Sequence, residues 1–146
     1  MIPDTELEKS LVAAFVIPQK RSRYNSLLET GKGRDKVRRS LAHSPDWDPR
    51  FIRQIENQNP RAIQEVLRKM GAPRDCYVLS ENDRYDAKRM DLLDALMGAV
   101  GYGMGTVISC VPGRLAFYEG EGPGVRYILN RDSNEPGRDS LVVTST

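Results

Sequence analysis

Hydrophobic residues occur along this chain in short runs and periodic stripes, separated by segments rich in glycine, proline and charge. The first run, residues 11–17, is continuously apolar and ends at Pro18, which is typical of a strand buried on both faces. A helix that begins at Asp4 is the alternative, because apolar residues recur with helical spacing over residues 7–14. The β-branched and aromatic side chains at the end of the run favour the strand.

Four later segments show the periodicity of amphipathic helices. They cover residues 22–30, 34–43, 60–70 and 90–100. The third is the best delimited, since Asn59 can cap its N-terminus, Pro60 fits the first helical position and Gly71 ends it. The glycines of residues 31–33 are interpreted as a break between the first two helices. In the fourth helix, the side chains predicted to face the core are Leu93, Leu96, Met97 and Val100.

Strand-forming residues dominate four further segments. They cover residues 75–80, 106–111, 115–118 and 125–129. Because strands separated by helices usually pair in parallel, the strands that begin at Leu11, Asp75 and Thr106 are predicted to be parallel. Pro112 and Gly113 predict a turn into a hairpin. The predicted fold class is therefore α/β, with a mixed sheet of four or five strands (three parallel, then an antiparallel hairpin) and about four helices.

Length and composition indicate one α/β domain over residues 1–130, followed by a polar C-terminal tail over residues 131–146. The chain has 146 residues, of which 39% are hydrophobic and 29% charged, as in an ordinary globular domain. Two cysteines do not make a disulfide framework, and the acidic N-terminal residues do not resemble a signal peptide, so we expect a cytoplasmic protein. The apolar run at residues 11–17 is too short to cross a bilayer, and no membrane partner is predicted.

Positive charge is concentrated in one segment of the chain. The net charge is +2, yet residues 19–39 hold eight cations and two carboxylates, so this segment carries +6 and the remainder −4. Such a segment can bind the phosphates of a nucleic acid or a nucleotide, and the alternative is a solvated helix face. The side chains predicted to bind anions are Lys20, Arg21, Arg23, Arg38 and Arg39.

A second hypothesis is a small hydrolase, because ligands in parallel sheets usually bind beyond the carboxyl ends of the strands. Those ends would present Glu81 and Asp83 after one strand, and Cys110 and Arg114 near the end of the next. Carboxylates can act as general acid and base, Cys110 as a nucleophile, and Arg114 can stabilise an anion. The base for Cys110 would have to be His43, the sole histidine, which the sequence does not place beside it.

The leading interpretation is a small binding protein that engages nucleic acid or a nucleotide through residues 20–39. No cofactor or metal is predicted, because the glycines of residues 31–33 and 101–105 do not match a nucleotide-binding loop and the cysteines are not in zinc-binding pairs. A third hypothesis is a protein-interaction or immunity-type factor without a small ligand, which an exposed apolar patch or a free sheet edge would favour.

Overall fold

A computed structural model describes residues 2–122 and 124–131, and the predicted tail beyond residue 131 lies outside them. The described residues form five α-helices and six β-strands. The helices are α1 (Thr5–Phe15), α2 (Arg21–Leu28), α3 (Gly31–Ser40), α4 (Pro60–Lys69) and α5 (Leu92–Ala99). The strands are β1 (Ile52–Gln54), β2 (Asp75–Ser80), β3 (Arg89–Asp91), β4 (Thr106–Val111), β5 (Leu115–Glu119) and β6 (Arg126–Asn130).

The six strands form one sheet in the order β1-β6-β5-β4-β2-β3, and every neighbouring pair is antiparallel. The predicted mixed sheet with three parallel strands is therefore wrong. The later strand positions are nevertheless close to the prediction, since β2 and β4 have the predicted bounds and β5 and β6 differ by one residue at their ends. The error lies in the first predicted strand and in the direction of the connections.

The segment predicted as the first strand lies mostly in the helix α1. Asp4 caps this helix, and its carboxylate accepts a hydrogen bond of 3.0 Å from the backbone N–H of Leu7. The apolar arc of α1 is wide because the helix packs on two partners: Leu11 and Phe15 contact the sheet, whereas Val12 packs with α2 and α3. A helix buried on so much of its circumference resembles a continuous apolar run in sequence.

The short strand β3 explains why β2 and β4 are antiparallel although a helix separates them. After β2 the chain reverses through residues 81–88, and β3 runs back beside β2, pairing Asp75 with Asp91. Helix α5 then begins at Leu92, capped by Asp91, and returns the chain to the other end of the sheet before β4 starts. Two of the three residues of β3 lie in the segment 90–100 that was predicted as the fourth helix, so this reversal was missed.

Helices cover both faces of the sheet. Alternate residues of the central strands point to opposite sides, as the pleat requires. Val78, Ile108 and Phe117 face α4 and α5, whereas Leu79 and Tyr118 face α1. The result is a three-layer arrangement in which α1, α2 and α3 occupy one side and α4 and α5 the other.

Helices α2 and α3 are joined by a tight turn and pack closely. Thr30 caps α3 by accepting a hydrogen bond of 3.0 Å from the N–H of Gly33. A Cβ atom on Gly33 would collide with the backbone of Leu27, so glycine permits this close approach. Residues 31–33 therefore form the first turn of α3, whereas the sequence predicted that they lie in a break between the two helices.

The remaining helices confirm most of the predicted boundaries. Helix α4 begins at Pro60 with Asn59 as its cap, and α5 covers most of the predicted segment 90–100. One predicted core position is wrong, because the side chain of Met97 is 52% exposed. No helix among the described residues is long and apolar enough to cross a membrane.

Candidate functional site

Three of the eight cations of the basic segment are used inside the fold. The guanidinium of Arg21 donates a hydrogen bond of 2.9 Å to the carbonyl of Val16, which follows α1. Arg34 is buried, and Arg38 is partly buried against the end of β2. These three side chains donate hydrogen bonds that hold parts of the fold together.

Arg34 is the centre of a buried ion network that joins three parts of the fold. Its guanidinium donates to Glu8 of α1 at 2.7–3.1 Å and to Asp86 of the β2–β3 connection at 2.6–2.9 Å. Glu8 also accepts a hydrogen bond of 2.6 Å from the hydroxyl of Tyr77, and Asp86 accepts one of 3.0 Å from the N–H of Ser80. Burial opposes the charge of Arg34, but the two carboxylates overcome this effect and raise its pKa.

Arg38 is predicted as an anion ligand, but its donors are directed inward. It donates to the carbonyl of Ser80 at 2.7 Å and to that of Glu81 at 3.2 Å. It also pairs with Asp83 and lies 3.2 Å from both Asp35 and Asp86. Although burial opposes the charge, these carboxylates raise the pKa of Arg38. We therefore assign Arg38 to the framework that fixes α3 on the sheet.

Five cations of the segment remain exposed, and we call them the basic surface. They are Lys20, Arg23, Lys32, Lys36 and Arg39. None of them makes an ion pair with another described residue. Because buried Arg34 and Val37 define the inward face of α3, Lys32, Lys36 and Arg39 form a stripe at helical spacing on its outer face.

The two carboxylates of the basic segment do not offset this charge. Glu29 pairs with Lys9 of α1, and Asp35 lies 3.2 Å from Arg38. Each acid thus contacts a cation outside the basic surface, and Asp35 shares Arg38 with Asp83 and Asp86. The surface has a formal charge of +5 from its own members.

The structure does not bring together the four side chains predicted for a hydrolase. Glu81 lies where β2 ends and β4 begins, since its carboxylate accepts from the N–H of Gly105 at 3.2 Å. Asp83 follows in the same connection and pairs with Arg38. Cys110 and Arg114 lie toward the opposite end of β4, which is about 17 Å away at the usual rise per residue. The prediction that these four side chains lie at one edge of the sheet depended on parallel strands. The antiparallel order places them at opposite edges.

The cysteines and the histidine are also separated. Cys76 and Cys110 are free and buried on the side of the sheet that faces α4 and α5. Burial raises the pKa of Cys76 to about 12, and it raises that of Cys110 as well. His43 lies at the other end of the molecule, where its Nε2 is 2.7 Å from a carboxylate oxygen of Glu121. A nucleophile–base pair of Cys110 and His43 is therefore not formed.

A small cavity lies under α2, between α1, α3 and the sheet. Its volume of about 30 Å³ is room for about two water molecules, and its wall is mostly apolar, with contributions from Val12, Leu28, Val37 and Val107. Glu8 reaches its edge, but that carboxylate is already bonded to Arg34. The cavity is too small for a nucleotide. No group of three or more metal-ligating side chains occurs within residues 2–122 and 124–131.

The prediction from sequence included Lys20, Arg23 and Arg39 of the basic surface but omitted Lys32 and Lys36. Their spacing of four residues, with Val37 marking the buried side, is the signal that would have identified them.

No protein-family model, curated protein or solved structure matches this chain. The functional assignment therefore depends on the geometry of this surface.

Proposed function

We propose that this protein is a nucleic-acid-binding module that contacts phosphates through the basic surface on α2 and α3. The observation that supports it is the group of five exposed cations that have no ion-pair partner among the described residues, which remains after Arg21, Arg34 and Arg38 are assigned to the framework. When lysine and arginine side chains bind phosphates, they displace the counterions condensed on the nucleic acid, and the release of these ions favours binding.

An extended polyanion fits the surface better than a single nucleotide. Lys32 and Arg39 are seven residues apart on one helix, which corresponds to about 10 Å along its axis. A duplex of that length carries about six phosphate charges. The basic surface is the outer side of helices and does not form a pocket. The small apolar cavity under α2 has no lysine or arginine in its wall.

The test is binding of fluorescein-labelled 20-mer DNA and RNA, single-stranded and double-stranded, measured by anisotropy between 25 and 200 mM salt. With at most five phosphate contacts, the slope of log K against log salt should be no steeper than about −4.5 for duplex DNA or about −3.5 for single strands. The double substitution Lys32→Glu, Lys36→Glu should reduce the steepness of the duplex slope by about two and weaken binding at every sequence tested.

A matched control reverses two exposed cations on the other side of the sheet. Arg61 lies in the first turn of α4 and Arg74 precedes β2, and neither makes an ion pair with a described residue. The variant Arg61→Glu, Arg74→Glu has the same net charge as the double lysine variant. Equal losses in the two variants would show only a response to net charge and would overturn the proposal, as would absence of binding by the unchanged protein at 25 mM salt.

A further inference from the structure

Three large apolar side chains are exposed close together in the chain, at the C-terminal end of α5 and in the loop that follows. The exposed fractions are 52% for Met97, 67% for Tyr102 and 37% for Met104. Single exposed apolar residues are common on protein surfaces, whereas three within eight residues are an unusual local concentration. We call these three residues the Tyr102 patch.

The loop that carries the patch has a fixed backbone. The N–H of Gly101 donates to Glu119 at 2.9 Å, and that of Gly105 donates to Glu81 at 3.2 Å. The N–H of Glu81 in turn donates to the carbonyl of Gly105 at 2.9 Å. A Cβ atom on Gly105 would collide with the backbone of Ala42, so the loop lies directly on the end of the layer formed by α1–α3. Exposure of Tyr102 therefore does not result from an unsupported loop.

Carboxylates border the patch on each side. Asp94 is exposed and precedes Met97 by three residues, which places both on the same face of α5. The Cγ atom of Glu121 lies 4.0 Å from the position that a Cβ atom on Gly103 would occupy. Glu81 is bonded to the loop itself. Three carboxylates thus lie on or next to the segments that carry the apolar side chains.

Little of this negative charge is neutralised. Glu81 and Asp94 make no ion pair with another described residue, and Glu121 contacts His43, which is charged only when protonated. Glu119 is buried and paired with Arg126 at 2.6–2.7 Å, so it does not contribute to the border. Although Arg38 donates to the backbone carbonyl of Glu81 at 3.2 Å, the carboxylates beside the patch favour a cationic partner over a phosphate-bearing one.

We infer that the Tyr102 patch is a docking site for a basic polypeptide segment of a protein partner, with an apolar side chain of that segment seated on Tyr102 and the two methionines. Tyrosine is enriched among the residues that dominate binding energy, and methionine adapts its shape to the partner. The carboxylates supply orientation and electrostatic attraction. The fixed loop lowers the ordering cost of association. The inference uses none of the residues of the basic surface and does not depend on the proposed function.

The test uses a twelve-residue lysine peptide with two central leucines, titrated into protein labelled with ¹³C at the methionine methyl groups. Two of the five methionines lie in the patch, and the partly buried Met70 and Met90 serve as internal references. We expect saturable shifts at Met97 and Met104 and none at the references. Tyr102→Ala should weaken binding about tenfold, the loss typical of an aromatic anchor, and Tyr102→Phe should retain it.

Control peptides and a control variant separate the contributions of apolar contact, charge and location to binding. The same peptide with central serines should bind at least about fivefold more weakly, and a glutamate peptide with central leucines should not bind. Val66→Ala changes another exposed apolar residue, on α4, and should leave binding unchanged. Absence of shifts at Met97 and Met104, equal shifts with the glutamate peptide, or equivalent shifts with an oligonucleotide would each overturn the inference.

Discussion

Replacing Arg34 with methionine is expected to destabilise the fold more than the loss of any exposed cation on the same helix. The substitution keeps a long side chain but removes five hydrogen bonds to Glu8 and Asp86. Glu8 is 0% exposed and would keep only its bond from Tyr77. A buried carboxylate would then lack its cation.

The magnitude follows from the charge balance of the network. Arg34 and Arg38 are matched by Glu8 and Asp86, so removing one cation leaves one buried negative charge in excess. Breaking a buried pair in this way costs about 3–5 kcal/mol. For a domain of this size, that cost lowers the melting temperature by about 10 °C. The additional change Glu8→Gln removes the excess charge and should recover a large part of the loss.

Urea unfolding followed by the fluorescence of Trp47, which packs on Tyr118 with ring centroids 5.1 Å apart, measures the free energy of unfolding for each variant. Arg39→Met is the control, because Arg39 is exposed on the same helix and should alter stability by less than about 0.5 kcal/mol. A loss below about 1 kcal/mol for Arg34→Met, or no recovery in the double variant, would refute the reasoning about the network.

Three further results are expected from the same structure. At pH 8 a thiol with a pKa of about 12 is ionised in only about one molecule in ten thousand, so Cys76 and the still more buried Cys110 should react with a thiol reagent only after unfolding, and stoichiometric labelling of the native protein would contradict this. Gly33→Ala should lower the free energy of unfolding by about 1–3 kcal/mol, whereas Gly31→Ala, whose Cβ would meet no atom within 4 Å, should raise it by about 0.5 kcal/mol in calorimetry. Val37→Ile should fill part of the cavity under α2 and raise stability by about 0.5–1 kcal/mol, and a fall in the melting temperature would show that the space is not available.

Elements with capped ends or uniform apolar character could be predicted from the sequence. Helix α4 has its cap at Asn59 and proline at its first position, and β4 is apolar throughout except for its threonine and serine. Helix α1 could not be recognised reliably, because it contacts the sheet on one side and α2 on another. Its apolar arc is then so wide that residues 11–17 are indistinguishable from a buried strand by pattern alone.

The direction of the sheet depended on an element without a sequence signal. Strand β3 has three residues, Arg89–Asp91, two of which are charged. Its pairing with β2 reverses the chain before α5, and this reversal makes β4 antiparallel to β2. The predicted catalytic site was derived from parallel strands. Because the three-residue strand β3 was not predicted, Glu81 and Cys110 were placed together, whereas they lie toward opposite ends of β4.

The exposed charge of the basic segment could not be read from its composition. Arg34 pairs with Glu8 and Asp86, which are separated from it in sequence by 26 and 52 residues. Its burial therefore depends on long-range contacts that no local sequence pattern contains. If all eight cations of the segment reached phosphates, the duplex binding slope would approach −7, whereas five exposed cations limit it to about −4.5. The salt dependence therefore tests the fold and the function together. A slope steeper than −4.5 would require Arg34 or Arg38 to leave the network, or cations outside the basic surface to take part.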